Sequence, residues 1–144
     1  RDEETTIHCT ACIVRNNFIT NATEGGIVTV YTKDCKIINN TIYEKDSRLG
    51  RLIRIVFDNE GLFVANNLIS GPEIRNESKS EIKFANNIEE DLTDVFVNPE
   101  QGDLHLKSKL REITNRAVHS SEATTDIDNQ PRGTKPDIGA DEFD

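Results

Sequence analysis

No run of apolar residues in this chain is long enough to cross a membrane, and no leader with a charged start and an apolar core is legible. Methionine is absent and the chain opens on Arg1, which leads us to expect a processed or partial chain. Positive charge is in deficit. Seventeen Lys and Arg stand against 26 Asp and Glu, a net charge of −9, which disfavours nucleic acid and anionic membrane surfaces as partners. The same balance weighs against unspecific capture of polyanionic sugars, although a local basic patch can override it. Apolar residues are sparse at 35%, with 30% charged. A chain of 144 residues is expected to form one domain with a core, here a thin core under a large polar surface. Three cysteines are too few for a disulfide framework, and no Cys/His spacing reads as a metal site.

What the sequence does hold is a repeat. Cys12–Ile19 (CIVRNNFI), Cys35–Ile42 (CKIINNTI), Leu62–Ile69 (LFVANNLI) and Ile82–Glu89 (IKFANNIE) share one design. Aligned on the second asparagine (Asn17, Asn40, Asn67, Asn87), they give columns of like residues. Cys12, Cys35, Leu62 and Ile82 form one column, and Val14, Ile37, Val64 and Phe84 a second. Ile19, Ile42 and Ile69 form a third, which Glu89 breaks. The asparagines are 23, 27 and 20 residues apart, a period that marks a solenoid in which each unit buries its apolar edge against its neighbours.

Within each copy, apolar residues two apart and rich in Val, Ile and Phe signal strands rather than helices. A coil of short parallel strands fits, with rungs about 4.8 Å apart, so the expected fold is all-β, a right-handed parallel β-helix. Stacking gives the asparagines a physical role, since each inward amide can bond the next amide and the turn backbone. The competing reading takes Asn-Asn as hairpin turns of a sandwich, and four copies in one register favour the coil. Cys12 and Cys35 fall in one inward column on successive rungs, where stacking could place them within bridging distance. We read them as free thiols that act as small core hydrophobes, and Cys9 as unpaired in either case.

Along the chain, Arg1–Thr6 is a charged lead-in to a strand at Ile7. Strands are expected at Ile27–Thr32 and Leu52–Phe57, a protruding loop at Glu44–Gly50 and an irregular excursion at Ser70–Ser80. Asp91–Asn98 and Asp103–Leu106 still alternate, Lys109–Val118 reads as one short helix, and the remainder is loop. Residues 1–106 are thus assigned to rungs and 107–144 to a capping segment. Three sequons, at Asn21, Asn39 and Asn76, are read as chance.

The tail carries a resemblance. Asp126–Arg132 (DIDNQPR) followed by Asp137–Phe143 (DIGADEF), preceded by Val95–Leu106 (VFVNPEQGDLHL), resembles the ending of many secreted bacterial right-handed parallel β-helix proteins. Those form the pectin-lyase-like group, which includes polysaccharide lyases acting on alginate and chondroitin. Asn129 stands where usual members carry Gly. The resemblance implies a carbohydrate-active β-helix protein at the bacterial cell exterior, with polysaccharide as partner and many more rungs upstream. The reaction class it suggests is β-elimination on a uronate-containing polysaccharide; the alternative is a non-catalytic module for carbohydrate binding, adhesion or support.

A solenoid end needs a cover, and the tail is expected to supply one. Asp126, Asp128, Asp137, Asp141 and Glu142 offer the oxygen ligands calcium prefers. The spacing matches neither an EF-hand nor an RTX loop, and Arg132 and Lys135 supply counter-charges. No cofactor is therefore assigned, with calcium kept as the alternative to a salt-bridged cap. At the other end, Ile7, Cys12, Val14 and Ile19 are expected to form a first rung covered by preceding rungs or by another chain.

Counting back from the inward columns puts Ile7, Val30 and Phe57 inside, so His8, Tyr31 and Asp58 share an outward column. A lyase must neutralise a carboxylate, remove the α-proton and protonate the leaving oxygen. Arg54 is the candidate for the first step, Lys33 or His8 for the second and Tyr31 for the third, with Asp58 a substrate contact. Lysine and arginine on neighbouring rungs are also what the resemblance implies, although the residues around Lys33 and Arg54 depart from the family's motif. An ordinary solvated face carries the same residue types.

Overall fold

The computed structural model describes residues 7–20, 24–45, 52–71 and 74–143. Arg1–Thr6, most of the Glu44–Gly50 loop, Pro72 and the sequon asparagine Asn21 lie outside them. The first rung is β1 (Cys9–Thr10), β2 (Ile13–Arg15) and β3 (Phe18–Thr20); the second is β4 (Ile27–Lys33), β5 (Lys36–Ile38) and β6 (Thr41–Tyr43). The third is β7 (Ile53–Glu60), β8 (Phe63–Ala65) and β9 (Leu68–Ser70), and the fourth β10 (Ile74–Asn76), β11 (Lys83–Ala85) and β12 (Ile88–Glu90). Like strands pair in parallel, giving three four-stranded sheets: β1-β4-β7-β10, β2-β5-β8-β11 and β3-β6-β9-β12. The chain is a parallel β-solenoid.

Register follows the asparagine alignment. Val14, Ile37, Val64 and Phe84 are successive partners, as are Ile19, Ile42, Ile69 and Glu89. The core is a column of Ile27, Ile37, Ile42, Ile53, Ile55, Val64 and Ile69, all buried. Phe84 sits in register but is 47% exposed because no rung follows it.

Each Asn-Asn pair divides two roles between its members. The first member (Asn16, Asn39, Asn66, Asn86) takes φ between 52 and 59° at the corner between the second and third sheets, a left-handed conformation that asparagine tolerates better than most residues. The second member points inward and builds a ladder. The Oδ1 of Asn40 accepts from the side-chain amide of Asn17 at 2.9 Å, that of Asn67 from Asn40 at 3.1 Å, and that of Asn87 from Asn67 at 2.8 Å. Each acceptor also takes the backbone N–H of the preceding asparagine.

Beyond Glu90 the parallel coil ends. β13 (Phe96–Asn98) and β14 (Asp103–Leu106) form an antiparallel hairpin around Gly102 (φ 83°). It packs on the outer face of the third sheet in a second core of Tyr43, Leu68, Phe96, Leu104, Leu106 and Ile138. The helix expected at Lys109–Val118 is cut to one turn at Leu110–Thr114, because beyond it the segment is tied outward to the coil. The outer asparagines do the tying. Asn86 donates to Arg116 O, Asn66 bonds Val118 through both its amide and its carbonyl, Asn16 donates to Thr125 O, and Asn39 donates to Gly139 O.

The tail therefore runs along the side of the coil, across the second and third sheets, instead of covering an end. At Gly139 (φ 103°) a β-carbon would meet Leu68 Cδ1 at 2.7 Å and Thr41 Oγ1 at 2.9 Å. Only glycine permits that approach.

All three inward assignments on the first sheet need correction. Val30 and Phe57 point outward, Phe57 being 56% exposed. Tyr31 (φ 50°) and Phe57 (φ 60°) turn through the left-handed region, and the pairing jumps from Val30–Val56 to Thr32–Asn59. That bulge reverses the alternation on which counting relies. Ile7 is likewise 40% exposed.

The cysteine assignment changes too. Ala11 (φ 54°) folds Cys12 back onto Cys9, and these two form the disulfide, while Cys35 is free and buried. Stacking sets Cys12 and Cys35 in one column of the alignment, but the tight turn of Cys9-Thr-Ala-Cys12 brings Cys9 closer.

Candidate functional site

With the second and third sheets under the hairpin and tail, the outer face of β1-β4-β7-β10 is the one no described segment packs across. Its central feature is an aromatic column. Tyr31 and Phe57 lie one rung apart with ring centroids 5.1 Å apart and planes 2° from parallel. His8, a rung before, meets Tyr31 edge-on at 5.2 Å. Bulky residues at positive φ are conformationally costly and persist only when their surroundings fix them. Here Asn59, fully buried, does so from inside: it donates to Val56 O at 2.9 Å, and its Oδ1 accepts from Thr32 Oγ1 at 2.8 Å. Ser78 Oγ donates to Phe57 O, and Ser80 Oγ takes the Asn59 N–H.

Beside the column opens a cleft of about 470 Å³ lined by Tyr31, Arg54, Val56, Phe57, Asp58, Glu77 and Lys79. Three residues named from sequence, Tyr31, Arg54 and Asp58, meet here. Arg54 is engaged by Glu77 through two parallel bonds, Nε to Oε1 at 3.2 Å and Nη2 to Oε2 at 2.9 Å, and Arg75 joins the same carboxylate at 2.7 Å.

Lys33 shares the face but not the cleft. It pairs in register with Glu60, whereas Arg54 pairs with Val28, five residues back along β4. At about 3.3 Å per residue the two are roughly 16 Å apart along the strand. His8 touches the column and lines no part of the cleft. Sequence reading missed Phe57, Glu77 and Lys79. The first was hidden by the bulge, and the others by the segment between β10 and β11, which has no repeat pattern.

The acidic tail residues are placed separately. Asp126 accepts the N–H groups of Asp128, Gln130 and Glu142, and Asp137 those of Asn115 and Phe143. Glu142 pairs with Arg132, Asp141 accepts from Leu106 N–H, and Asp128 meets His105.

His105 lies between two carboxylates, Asp103 at Nδ1 (2.5 Å) and Asp128 at Nε2 (2.8 Å). Burial pulls its pKa down, but these hydrogen bonds outweigh burial and carry it above the ordinary histidine value. Burial pushes the neighbouring Asp141 up to about 6 from 3.8. Both values are raised in the folded state, so both groups add stability at low pH that is lost as pH rises through their folded values. For Asp141 that window runs from about 4 to about 6 and is worth about 3 kcal/mol, at ~1.4 kcal/mol per pH unit.

Asp141→Asn keeps an acceptor for Leu106 and removes the charge. It is expected to be more stable than wild type by about 1–3 kcal/mol at pH 8, with a flatter profile between pH 4 and 7. Thermal unfolding across that range measures this; parallel profiles for the two proteins would contradict it.

No protein-family model, no curated protein and no solved structure matches the chain.

Proposed function

We propose that this β-solenoid is a carbohydrate-binding module that lays a polysaccharide across the open face of β1-β4-β7-β10. One observation carries the reading: the parallel Tyr31–Phe57 pair, held at positive φ on the uncovered sheet and flanked by charged groups in one cleft. Aromatic surfaces complement the C–H faces of sugar rings, while a few convergent polar groups set orientation. A non-catalytic role is favoured over elimination because Arg54, the candidate for neutralising a uronate, already holds Glu77.

Binding is measured by calorimetry with alginate, pectin and chondroitin. Phe57→Ala is expected to weaken affinity roughly tenfold, the equivalent of about 1.4 kcal/mol, with an unchanged far-ultraviolet spectrum. Binding to none of the three polymers, or equal binding by wild type and Phe57→Ala, would remove the proposal.

A lyase reading rests on the contact of His8 with Tyr31, a base and an acid side by side on this face, with Lys33 further along it. It is separated by the ultraviolet absorbance of an unsaturated uronate product: no rise with any of the three polymers leaves binding alone. The resemblance of the tail to the pectin-lyase-like group supports either reading and a location at the cell exterior. Val14 and Ile19, the first members of the inward columns, are only half buried where Ile37 and Ile42 one rung on are fully so, which supports further rungs or another chain stacking there.

A further inference from the structure

Cys9, Cys12 and Cys35 gather at the first corner of the coil, next to the aromatic face but outside its cleft. Cys9 and Cys12 are joined, and the buried Cys35 sulfur lies 3.9 Å from that of Cys9. Its thiol faces the carbonyls of Lys33 at 3.4 Å and Cys9 at 3.6 Å. All three sulfurs lie within 4.8 Å of one another.

That last distance decides between two chemistries. Attack of Cys35 on the disulfide needs three sulfurs in line, which would put the outer two about 6 Å apart, since an S–S bond is about 2 Å. They are closer, so the sulfurs form a triangle. An ion bound at about 2.3 Å by thiolates holds them roughly 3.8–4.0 Å apart, which is the Cys9–Cys35 separation.

We propose that the reduced chain holds one soft, thiophilic metal ion of the Cu(I) class on Cys9, Cys12 and Cys35. A dithiol reductant supplies two electrons and two protons to the Cys9–Cys12 bond and itself becomes a cyclic disulfide. Three thiols then lose three protons as three metal–sulfur bonds form. Thiolate ligands select such ions over hard cations. At this corner the group comprises the three sulfurs alone among the described residues, which suits a three-coordinate ion.

The test uses the full chain reduced with a dithiol, desalted without oxygen and titrated with Cu(I) against a coloured Cu(I) chelator, with native mass spectrometry for stoichiometry. Wild type is expected to take one ion per chain and to develop a thiolate-to-metal absorption in the ultraviolet. The oxidised chain is expected to take none. Cys35→Ser should lower affinity at least about 100-fold, and so should Cys12→Ser, whose exposed position leaves the core intact. Equal affinity in wild type and Cys12→Ser, a stoichiometry other than one, or equal binding by the oxidised chain would overturn the proposal.

Discussion

Replacing Asn40 with leucine is expected to destabilise the coil by about 3–5 kcal/mol, although the two side chains are close in volume. Asn40 Oδ1 accepts the Asn17 N–H at 3.2 Å and its side-chain amide at 2.9 Å. Its own amide donates to Val14 O at 2.9 Å, Asn67 Oδ1 at 3.1 Å and Ile38 O at 3.3 Å. Leucine removes the central link, leaves the Asn17 donors to the solvent at the first rung, and strands the acceptors Val14 O, Ile38 O and Asn67 Oδ1 at the core. Each buried group left unpaired costs about 1–3 kcal/mol. Against a total stability of about 5–15 kcal/mol for a domain, that is a large fraction. Urea unfolding measures it, with Asn17→Leu on the exposed first rung expected to cost less than half as much. A loss under about 1 kcal/mol for Asn40→Leu would mean that the ladder follows the fold instead of holding it.

The ladder was legible because a parallel coil brings residues one period apart into contact, so identical neighbours in space are identical neighbours in the alignment. Val14, Ile37, Val64 and Phe84 fell into register for that reason. The first asparagine of each pair was harder. Its side chain leaves the coil and binds Thr125, Gly139, Val118 or Arg116, partners with no fixed sequence offset. The same limit concealed the route of the tail. Its Asp-rich motif announced many backbone contacts, but which surface they would secure depended on distant residues.

On the open face, alternation located Tyr31, Arg54 and Asp58 and misplaced Phe57. A left-handed phenylalanine has no signature of the kind that glycine or asparagine provides. The cysteines failed in the same way, through the positive φ of Ala11.

Arg132→Ala is expected to be as costly as any change in the coil, because this one side chain fastens the tail. An arginine has five N–H donors, and Arg132 has five acceptors: Thr125 O at 3.1 Å, Asp137 O at 3.3 Å, Glu142 Oε1 at 2.5 Å, Asn16 Oδ1 at 3.2 Å and Gly139 O at 2.9 Å. Its side chain is 1% exposed. Alanine would leave Glu142 beside Asp137 without its cation, in a site where burial already raises the Glu142 pKa. Breaking one side of a buried pair costs about 3–5 kcal/mol. Arg132→Lys should recover little, since an ammonium cannot span five acceptors arranged around a planar fork. The loss should be local first. Hydrogen exchange of the Ile127 and Gly139 amides, bonded to Ala140 O and Asn66 O, should quicken well before that of Asn40 within the coil. If Glu142 without its cation is the main cost, adding Glu142→Gln to Arg132→Ala should restore part of the stability. A double variant no more stable than the single one would assign the cost to the three carbonyls and Asn16 instead.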